Sequence, residues 1–343
     1  MNDLAQRLGV LLPIIQAPMA GVQDGALAIA VCAAGGLGSL PCAMLDAAAI
    51  RREIATVRSH TGAPFNLNFF CHRPPVADAA RETAWRQALA PYYRELGIDI
   101  DKVPAGGGRF PFDAASAAIV EELRPAVVSF HYGLPDAELL DRVRASGARI
   151  LSSATTVAEA RWLEARGVDA VIAQGLEAGG HRGHFLDDDL SLQCGTFALL
   201  PQIVRAVRVP VIAAGGIADR AGVEAAFALG AAMVQVGTAY MCCPEATTTR
   251  IHRAALMSGA AQHTALTRLI TGRPARGIVN RLMREVDDRS APAFPLATAA
   301  IAPLRAAAEA LGSGDFSPLW SGQNASGCSE RPSGELTRAL AGA

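Results

Sequence analysis

The sequence predicts an α/β protein, a (β/α)8 TIM barrel with a small helical lid subdomain after the eighth strand. Eight short apolar runs recur along the chain, and segments with helical periodicity separate most of them, as in a closed parallel sheet. Two late runs end in glycine, which is typical of the phosphate site after the seventh and eighth strands of such barrels. The length of 343 residues suits a barrel with insertions.

The predicted strands are mostly continuous apolar runs, as expected for a sheet that is covered on both faces. They are Ile14–Met19, Leu37–Leu40, Phe65–Phe70, Ala126–Tyr132, Arg149–Ala154, Ala170–Gln174, Val211–Ala214 and Met233–Val236. The predicted helices between them begin at capping residues or end near glycine or proline. They include Asp46–Ser59, Asp136–Ser146, Thr156–Arg166, Leu199–Val207 and Asp219–Gly230. An open doubly wound sheet is the alternative, but its glycine fingerprint would follow the first strand.

Two segments do not fit the strand–helix repeat. One is the stretch Cys71–Phe112 after the third strand, and the other runs from Met241 to about Ala291 and is predicted to be mostly helical. Both are expected beside the active site, because the loops after barrel strands build it. The resulting division is a barrel at 1–240, a helical lid or substrate subdomain at 241–291, and a C-terminal return to the barrel at 292–343.

Composition excludes several functional classes. The net charge of −1 gives no electrostatic reason to expect a nucleic-acid partner. Seven cysteines without regular spacing indicate free thiols in a reducing compartment, and none has a partner at metal-ligand spacing, so no metal is expected. The N-terminus lacks a secretory pattern and no apolar run is long enough to span a bilayer. We therefore expect a cytoplasmic protein with no membrane partner, and the oligomeric state stays open.

The glycine-bearing strand ends predict an anion site. They are the segments Pro210–Ile217 and Ala232–Thr238. Glycine lets backbone N–H groups approach an anion without an intervening Cβ atom. The amides of Gly215, Gly216, Gly237 and Thr238, with the Thr238 hydroxyl as a further donor, can therefore hold a phosphate. The alternative is that the glycines only allow tight turns.

A polar, glycine-rich segment follows the sixth predicted strand and contains the candidate catalytic residue. Gln174 ends the strand and can direct its amide at a planar ligand, and Gly179 and Gly180 allow close backbone approach. His181 follows in a polar turn rather than on an apolar face, which favours a chemical role over that of a surface histidine. Arg273 and Arg276 in the lid are expected mainly on the surface, with contact to an anionic substrate as the alternative.

Six segments together resemble the nitronate monooxygenase family, formerly called 2-nitropropane dioxygenases. They are Gln16–Gly21, Asn66–His72, Ser129–Gly133, Gln174–Gly183, Ala213–Ile217 and Gln235–Thr238. The resemblance runs from about Leu12 to Gln323, and its most specific part is Glu177-Ala178-Gly179-Gly180-His181. The paired glycines alone are common to many flavin barrels.

The resemblance implies that FMN is the cofactor and that His181 is catalytic. The FMN contacts that it implies, together with those expected from the residues themselves, are Ala17, Pro18, Met19, Asn68, Gln174, Gly179, Gly180, Gly215, Gly216, Gln235, Val236, Gly237 and Thr238. Ala17, Pro18 and Met19 would form a flat apolar wall for the flavin ring, although Pro18 could equally terminate the strand. His131 and Trp320 are candidates for substrate binding, with a structural histidine and a tail anchor as alternatives.

The function implied is oxidation of alkyl nitronates, and of nitroalkanes if His181 removes their α-proton, with O2 as the second substrate. The products would be a carbonyl compound and nitrite. An NAD(P)H-dependent FMN reductase of quinones or enoyl thioesters is the alternative within enzymes. A flavin-binding barrel without turnover is the alternative of another class.

Overall fold

The computed structural model describes residues 3–76, 78–103 and 108–343. In chain order the strands are β1 (Ile14–Gln16), β2 (Gly38–Pro41), β3 (Phe65–Phe70), β4 (Val127–His131), β5 (Arg149–Ala154), β6 (Ala170–Gln174), β7 (Gly180–His181), β8 (Val211–Ala214), β9 (Met233–Val236), β10 (Thr264–Thr267) and β11 (Ala275–Ile278). The helices are α1 (Asp3–Leu8), α2 (Gly25–Ala33), α3 (Ala47–His60), α4 (Ala79–Glu95), α5 (Ala114–Leu123), α6 (Ala137–Ala145), α7 (Val157–Glu164), α8 (Thr196–Ala206), α9 (Arg220–Ala228), α10 (Arg250–Leu256), α11 (Arg281–Glu285), α12 (Ala297–Ala310) and α13 (Ser333–Ala341).

Eight of these strands form a parallel barrel, in the order β1-β9-β8-β6-β5-β4-β3-β2. Leu37, directly before β2, joins the two ends of the sheet. Its N–H donates to the Ile14 carbonyl at 2.9 Å, and its own carbonyl accepts from the Gln16 N–H at 3.0 Å. The predicted (β/α)8 barrel is therefore confirmed, and the open sheet is not the fold.

The predicted strands agree closely with the observed ones, and β3, β5, β6, β8 and β9 have the predicted bounds. The first strand ends at Gln16 rather than Met19, and Ala17, Pro18 and Met19 leave the sheet to line a cavity. Proline has no N–H with which to continue a ladder, so termination at this point has a direct physical reason.

Apolar side chains fill the barrel and close one of its ends. Ile15, Leu151 and Met233 point into the interior, where Leu4 and Leu8 of α1 pack against the same cluster. Val127 and Ala170, at the beginnings of their strands, also belong to this cluster, so α1 covers the N-terminal end of the barrel. Only the C-terminal end of the strands is left open for a site, as in other barrels of this kind.

The two segments outside the repeat lie over this region together with the C-terminal return. Helix α4 packs on α12, where the Trp85 indole donates to the Ala297 carbonyl at 3.4 Å and the Tyr93 hydroxyl donates to the Ala300 carbonyl at 2.7 Å.

The segment from 241 to 291 differs from its mostly helical prediction, because β10 and β11 form a hairpin within it. Strand β11 also pairs with β7, a contact between distant segments that local periodicity does not reveal. The division at 241 and 292 stays a prediction.

Within the described ranges, no helix combines the length and apolar character that crossing a bilayer requires.

Candidate active site

A cavity opens at the C-terminal ends of the barrel strands and collects almost every residue singled out in the sequence. Its lining includes Ala17, Pro18, Met19, Asn68, His131, Gln174, Gly179, Gly180, His181, Gly215, Gly216, Gln235, Gly237, Thr238 and Trp320. Val236 is the exception. Its side chain is buried in the core, and its carbonyl accepts from the Ala17 N–H at 2.8 Å. Any part that Val236 plays in cofactor binding remains a prediction.

One end of the cavity is built from backbone. Gly215 and Gly216 have φ angles of +113° and +73°, a region that disfavours residues with a Cβ atom. The N–H groups of Gly216 and Gly237 have no acceptor within the described part of the chain. A Cβ atom on Gly237 would lie 3.4 Å from the Ala17 Cβ atom, so the backbone approaches the apolar wall closely here. These free donors fit a phosphate group, as the sequence predicted.

The C-terminal return completes this end of the cavity. The Gly322 N–H donates to the Thr238 hydroxyl at 2.9 Å, and the Asn324 side-chain amide donates to the Gly216 carbonyl at 3.0 Å. A Cβ atom on Gly179 would lie only 2.5 Å from the Gly322 nitrogen. Sequence reasoning gave no role to Asn324, although the neighbouring Trp320 was a candidate.

At the opposite end, three side chains hold the loop that carries His181. The Gln174 amide donates to the His181 carbonyl at 2.9 Å and accepts from the Gly183 N–H at 2.8 Å. His131 places Nε2 at 3.3 Å from the same carbonyl and Nδ1 at 2.9 Å from the Ser153 hydroxyl. The buried Arg182 guanidinium donates to the Gln174 carbonyl at 2.9 Å. Gln174 and His131 thus position the loop as well as line the cavity.

The His181 ring has one anchored nitrogen and one without a partner. Nε2 lies 2.9 Å from the Thr271 hydroxyl, and Nδ1 has no hydrogen-bond partner among the described residues. The Thr271 hydroxyl itself donates to the Arg273 carbonyl at 3.4 Å. Because the hydroxyl proton points to that carbonyl, the hydroxyl oxygen accepts a hydrogen bond from Nε2–H, and the lone pair of the neutral ring is then on Nδ1. Sequence reasoning gave no role to Thr271.

The surroundings keep this imidazole neutral. Burial lowers the pKa of His181 well below 6.5, and the positive charge of Arg109 lowers it further. Burial likewise lowers the pKa of His131 to about 3. Both rings are consequently uncharged at neutral pH, so His181 can accept a proton or a hydrogen bond there.

Aromatic rings enclose His181. The centroids of Phe294, Trp320 and Phe70 lie 5.4, 5.6 and 6.2 Å from that of His181. Trp320 also anchors the C-terminal return, because its carbonyl lies 2.9 Å from Nε2 of His252. Trp320 thus anchors the return and also lines the cavity, while its part in substrate binding stays a prediction. The rings make this part of the cavity apolar.

Arginines were the least well predicted residues. Arg276 is buried, and its Nε donates to the Leu176 carbonyl at 2.9 Å, so the expected surface role is wrong for it. The Arg273 guanidinium lies 4.2 Å from the centre of the Tyr132 ring. Arg109 lines the cavity although no sequence pattern pointed to it. Residue 77 and residues 104–107 belong to the predicted Cys71–Phe112 insertion and lie outside the described residues.

A closed parallel barrel with a backbone anion cradle and a half-buried, neutral histidine at the strands' C-terminal ends defines an enzyme of the TIM-barrel class. The chain belongs to the nitronate monooxygenase family, whose model, described as "Nitronate monooxygenase", matches residues 2–341. A nitronate monooxygenase of Paraburkholderia phytofirmans is 45% identical and covers 97% of this chain and 92% of its own. A nitronate monooxygenase of Pseudomonas aeruginosa is 44% identical, and the match covers 99% of this chain and 98% of that protein.

Solved structures agree with this assignment. The nitroalkane oxidase from Streptomyces ansochromogenes superposes with a TM-score of 0.89 at 39% identity, covering 98% of this chain and 97% of its own. FabK from Thermotoga maritima superposes with a TM-score of 0.72 at 25% identity, and the match covers 99% of this chain and 94% of FabK. The chain is therefore an oxidoreductase of a family that uses a flavin.

Proposed function

We propose that this enzyme uses FMN and O2 to oxidise alkyl nitronates to a carbonyl compound and nitrite. The relatives named nitronate monooxygenase, at 44 and 45% identity across nearly the whole chain, support the substrate class. The observation that carries the proposal is the pairing in one cavity of a backbone anion cradle with a neutral histidine whose Nε2 is fixed by Thr271. The cradle suits a flavin phosphate, and the histidine suits the reacting group.

The residues present fit FMN and divide between its two parts. The N–H groups of Gly216 and Gly237 and the Thr238 hydroxyl would hold the phosphate. The wall formed by Ala17, Pro18 and Met19 would lie against the isoalloxazine ring. Bound FMN would supply the redox chemistry, accepting electrons from the nitronate and passing them to O2.

His181 would interact with the substrate through its unprotonated Nδ1. With a neutral nitroalkane, this atom would remove the α-proton, and the Thr271 hydroxyl would keep the other nitrogen in place. With a preformed nitronate the proton is already absent, so His181 would only orient the nitro group. The surrounding rings of Phe70, Phe294 and Trp320 would keep water from the reacting carbon.

The remaining expectations concern partners and compartment. Nitronate and O2 are proposed as the only reaction partners, with no nucleic acid and no membrane. All seven cysteines are free thiols, which supports a reducing compartment and hence the cytoplasm. The oligomeric state stays open.

The decisive experiment is anaerobic stopped-flow mixing of the purified holoenzyme with a nitronate and, separately, with NADH and NADPH. We expect the nitronate to bleach the flavin band much faster than either nucleotide. A dinucleotide needs anion contacts for its own diphosphate, and we identify one glycine-built anion site among the described residues. Fast bleaching by a nucleotide with an inert nitronate would favour a quinone or enoyl thioester reductase. Bleaching by none of the three would favour a flavin-binding barrel without turnover.

A further inference from the structure

Arg109 is a half-buried cation with no counter-ion among the described residues. It lines the cavity, and its Nε is shielded from solvent with no hydrogen-bond partner among the described residues. Its Nη1 donates to the Thr298 hydroxyl at 3.3 Å. No described carboxylate lies within ion-pair distance of it. Shielding the Nε–H of a charged guanidinium from water is costly unless a ligand supplies the missing acceptor.

The position of Arg109 places this charge at the reacting end of the cavity. Its guanidinium carbon lies 5.9 Å from the centre of the Phe294 ring, and that ring centre lies 5.4 Å from the centre of His181. Phe294 therefore contacts both residues. The phosphate cradle is formed by a different set of residues, in the loops after β8 and β9.

The chemistry of a guanidinium selects the kind of ligand. Its planar, forked N–H groups match a planar group with two oxygens that share a negative charge. A nitronate is such a group, whereas the corresponding nitroalkane is neutral overall. We propose that Arg109 is the residue that makes the cavity selective for anionic nitronates, by binding the two nitro-group oxygens beside His181. This inference rests on the proposed function.

The charge of Arg109 also acts on the neighbouring histidines. Burial lowers the pKa of both His72 and His181, and the positive charge of Arg109 lowers it further in each case. The positive charge of Arg109 opposes protonation of His181, so the lone pair of the imidazole stays available. The same charge attracts the anionic nitronate. Arg109 and His181 thus divide charge recognition and proton transfer between them.

The test compares Arg109→Met and Arg109→Lys with Arg94→Met, an exposed arginine of α4 that serves as a matched control. Sodium nitrate, a planar oxyanion, is titrated into each holoenzyme by calorimetry, and kcat/KM is measured for a nitronate and its neutral nitroalkane. Arg109→Met should weaken nitrate binding and lower kcat/KM for the nitronate by about 10- to 100-fold, the scale of one lost charged hydrogen bond. The nitroalkane should lose less than about threefold. Arg109→Lys keeps the charge but not the forked N–H groups. Its nitrate affinity and its kcat/KM for the nitronate should lie between those of the wild type and Arg109→Met.

Each outcome separates the two proposals. Equal nitrate affinity in wild type and Arg109→Met, at equal flavin content, would overturn the role of Arg109 while leaving nitronate oxidation intact. Equal losses on nitronate and nitroalkane would also overturn it, because the residue would then not select for charge. If the wild type fails to oxidise nitronates, the proposed function fails, and the nitrate titration still decides whether Arg109 is an oxyanion receptor. Should Arg109→Met not fold, Arg109→Lys carries the same comparison.

Discussion

The two ends of the cavity are built in different ways. The end proposed to hold the phosphate, called the phosphate end, consists of backbone N–H groups at two neighbouring strand ends, Gly215–Gly216 and Gly237–Thr238. The end proposed for the reaction, called the reacting end, combines side chains from separate segments, including Arg109, His181 and Thr271. An anion cradle needs glycine and strand geometry alone, whereas a reaction centre needs particular side chains that only tertiary structure brings together. Substitutions at the two ends should therefore fail in different ways.

The largest expected effect is at the phosphate end. Gly237→Asp should reduce FMN occupancy of the purified protein to below about a tenth, because a carboxylate would repel the phosphate dianion. Gly237→Ala adds only a Cβ atom at an ordinary contact distance of 3.4 Å from Ala17, so it should keep most of the flavin. The ratio of flavin to protein absorbance measures both. Gly62→Asp, at an exposed position with open space around it, is the control.

Retention of full occupancy by Gly237→Asp would place the cofactor elsewhere and would remove the distinction between the two ends.

The next effect is at the reacting end, where chemistry should be lost without loss of cofactor. His181→Asn should keep FMN but slow turnover of neutral nitroalkanes by about 10²–10⁴-fold, the usual scale for a missing general base. Preformed nitronates should be affected less, since they carry no α-proton. Steady-state kinetics on both substrates test this, with the exposed His263→Asn as control. Equal losses would mean that His181 orients the nitro group and does not remove a proton.

A smaller effect is expected for the partner of the histidine. Thr271→Val removes the hydroxyl that holds Nε2 of His181, and should lower kcat for nitroalkanes by about 5- to 10-fold, the cost of one neutral hydrogen bond. Thr271→Ser restores the hydroxyl and should recover most of the rate. The pH profile of kcat should also shift in Thr271→Val, since the ring would lose the interaction that fixes its tautomer. An unchanged profile with no rescue by serine would indicate a role in packing only.

The smallest effect concerns stability in acid. Burial lowers the pKa of His72 and His252 to about 4 and that of His131 to about 3. In the unfolded chain these groups titrate near pH 6.5, so below that value the unfolded state binds protons that the folded state does not. The stability is thus fully present above about pH 6.5 and declines as the pH falls towards 4. Differential scanning calorimetry should show a Tm about 5 °C lower at pH 5 than at pH 7.

Hydrogen exchange sharpens this prediction, because amides around His72 and His131 should lose protection in acid before those of strand β8 in the barrel. The reverse order, or a Tm that rises between pH 7 and 5, would contradict it.

The difference between the two ends also explains what the sequence could reveal. The barrel strands and the glycine cradle are each formed by a short contiguous run of residues, which local patterns can reveal. Several strands, such as β3 and β8, therefore have their predicted bounds. Arg109, Thr271 and Phe294 lie in irregular segments whose local pattern carries no sign of their neighbours. The hairpin β10–β11 was missed for a related reason: its strands have four residues each, and the pairing of β11 with β7 is set by distant contacts.

The short pairing of β7 with β11 has a consequence for engineering. Gly180 and His181 pair with Arg276 and Ala275, and Thr271 lies a few residues before that strand. A loop exchange between related barrels that moved only the histidine loop would therefore separate His181 from its supporting hydroxyl. A transplant that takes both segments as one cassette would keep His181 and Thr271 together, while the glycine cradle stays with the host scaffold.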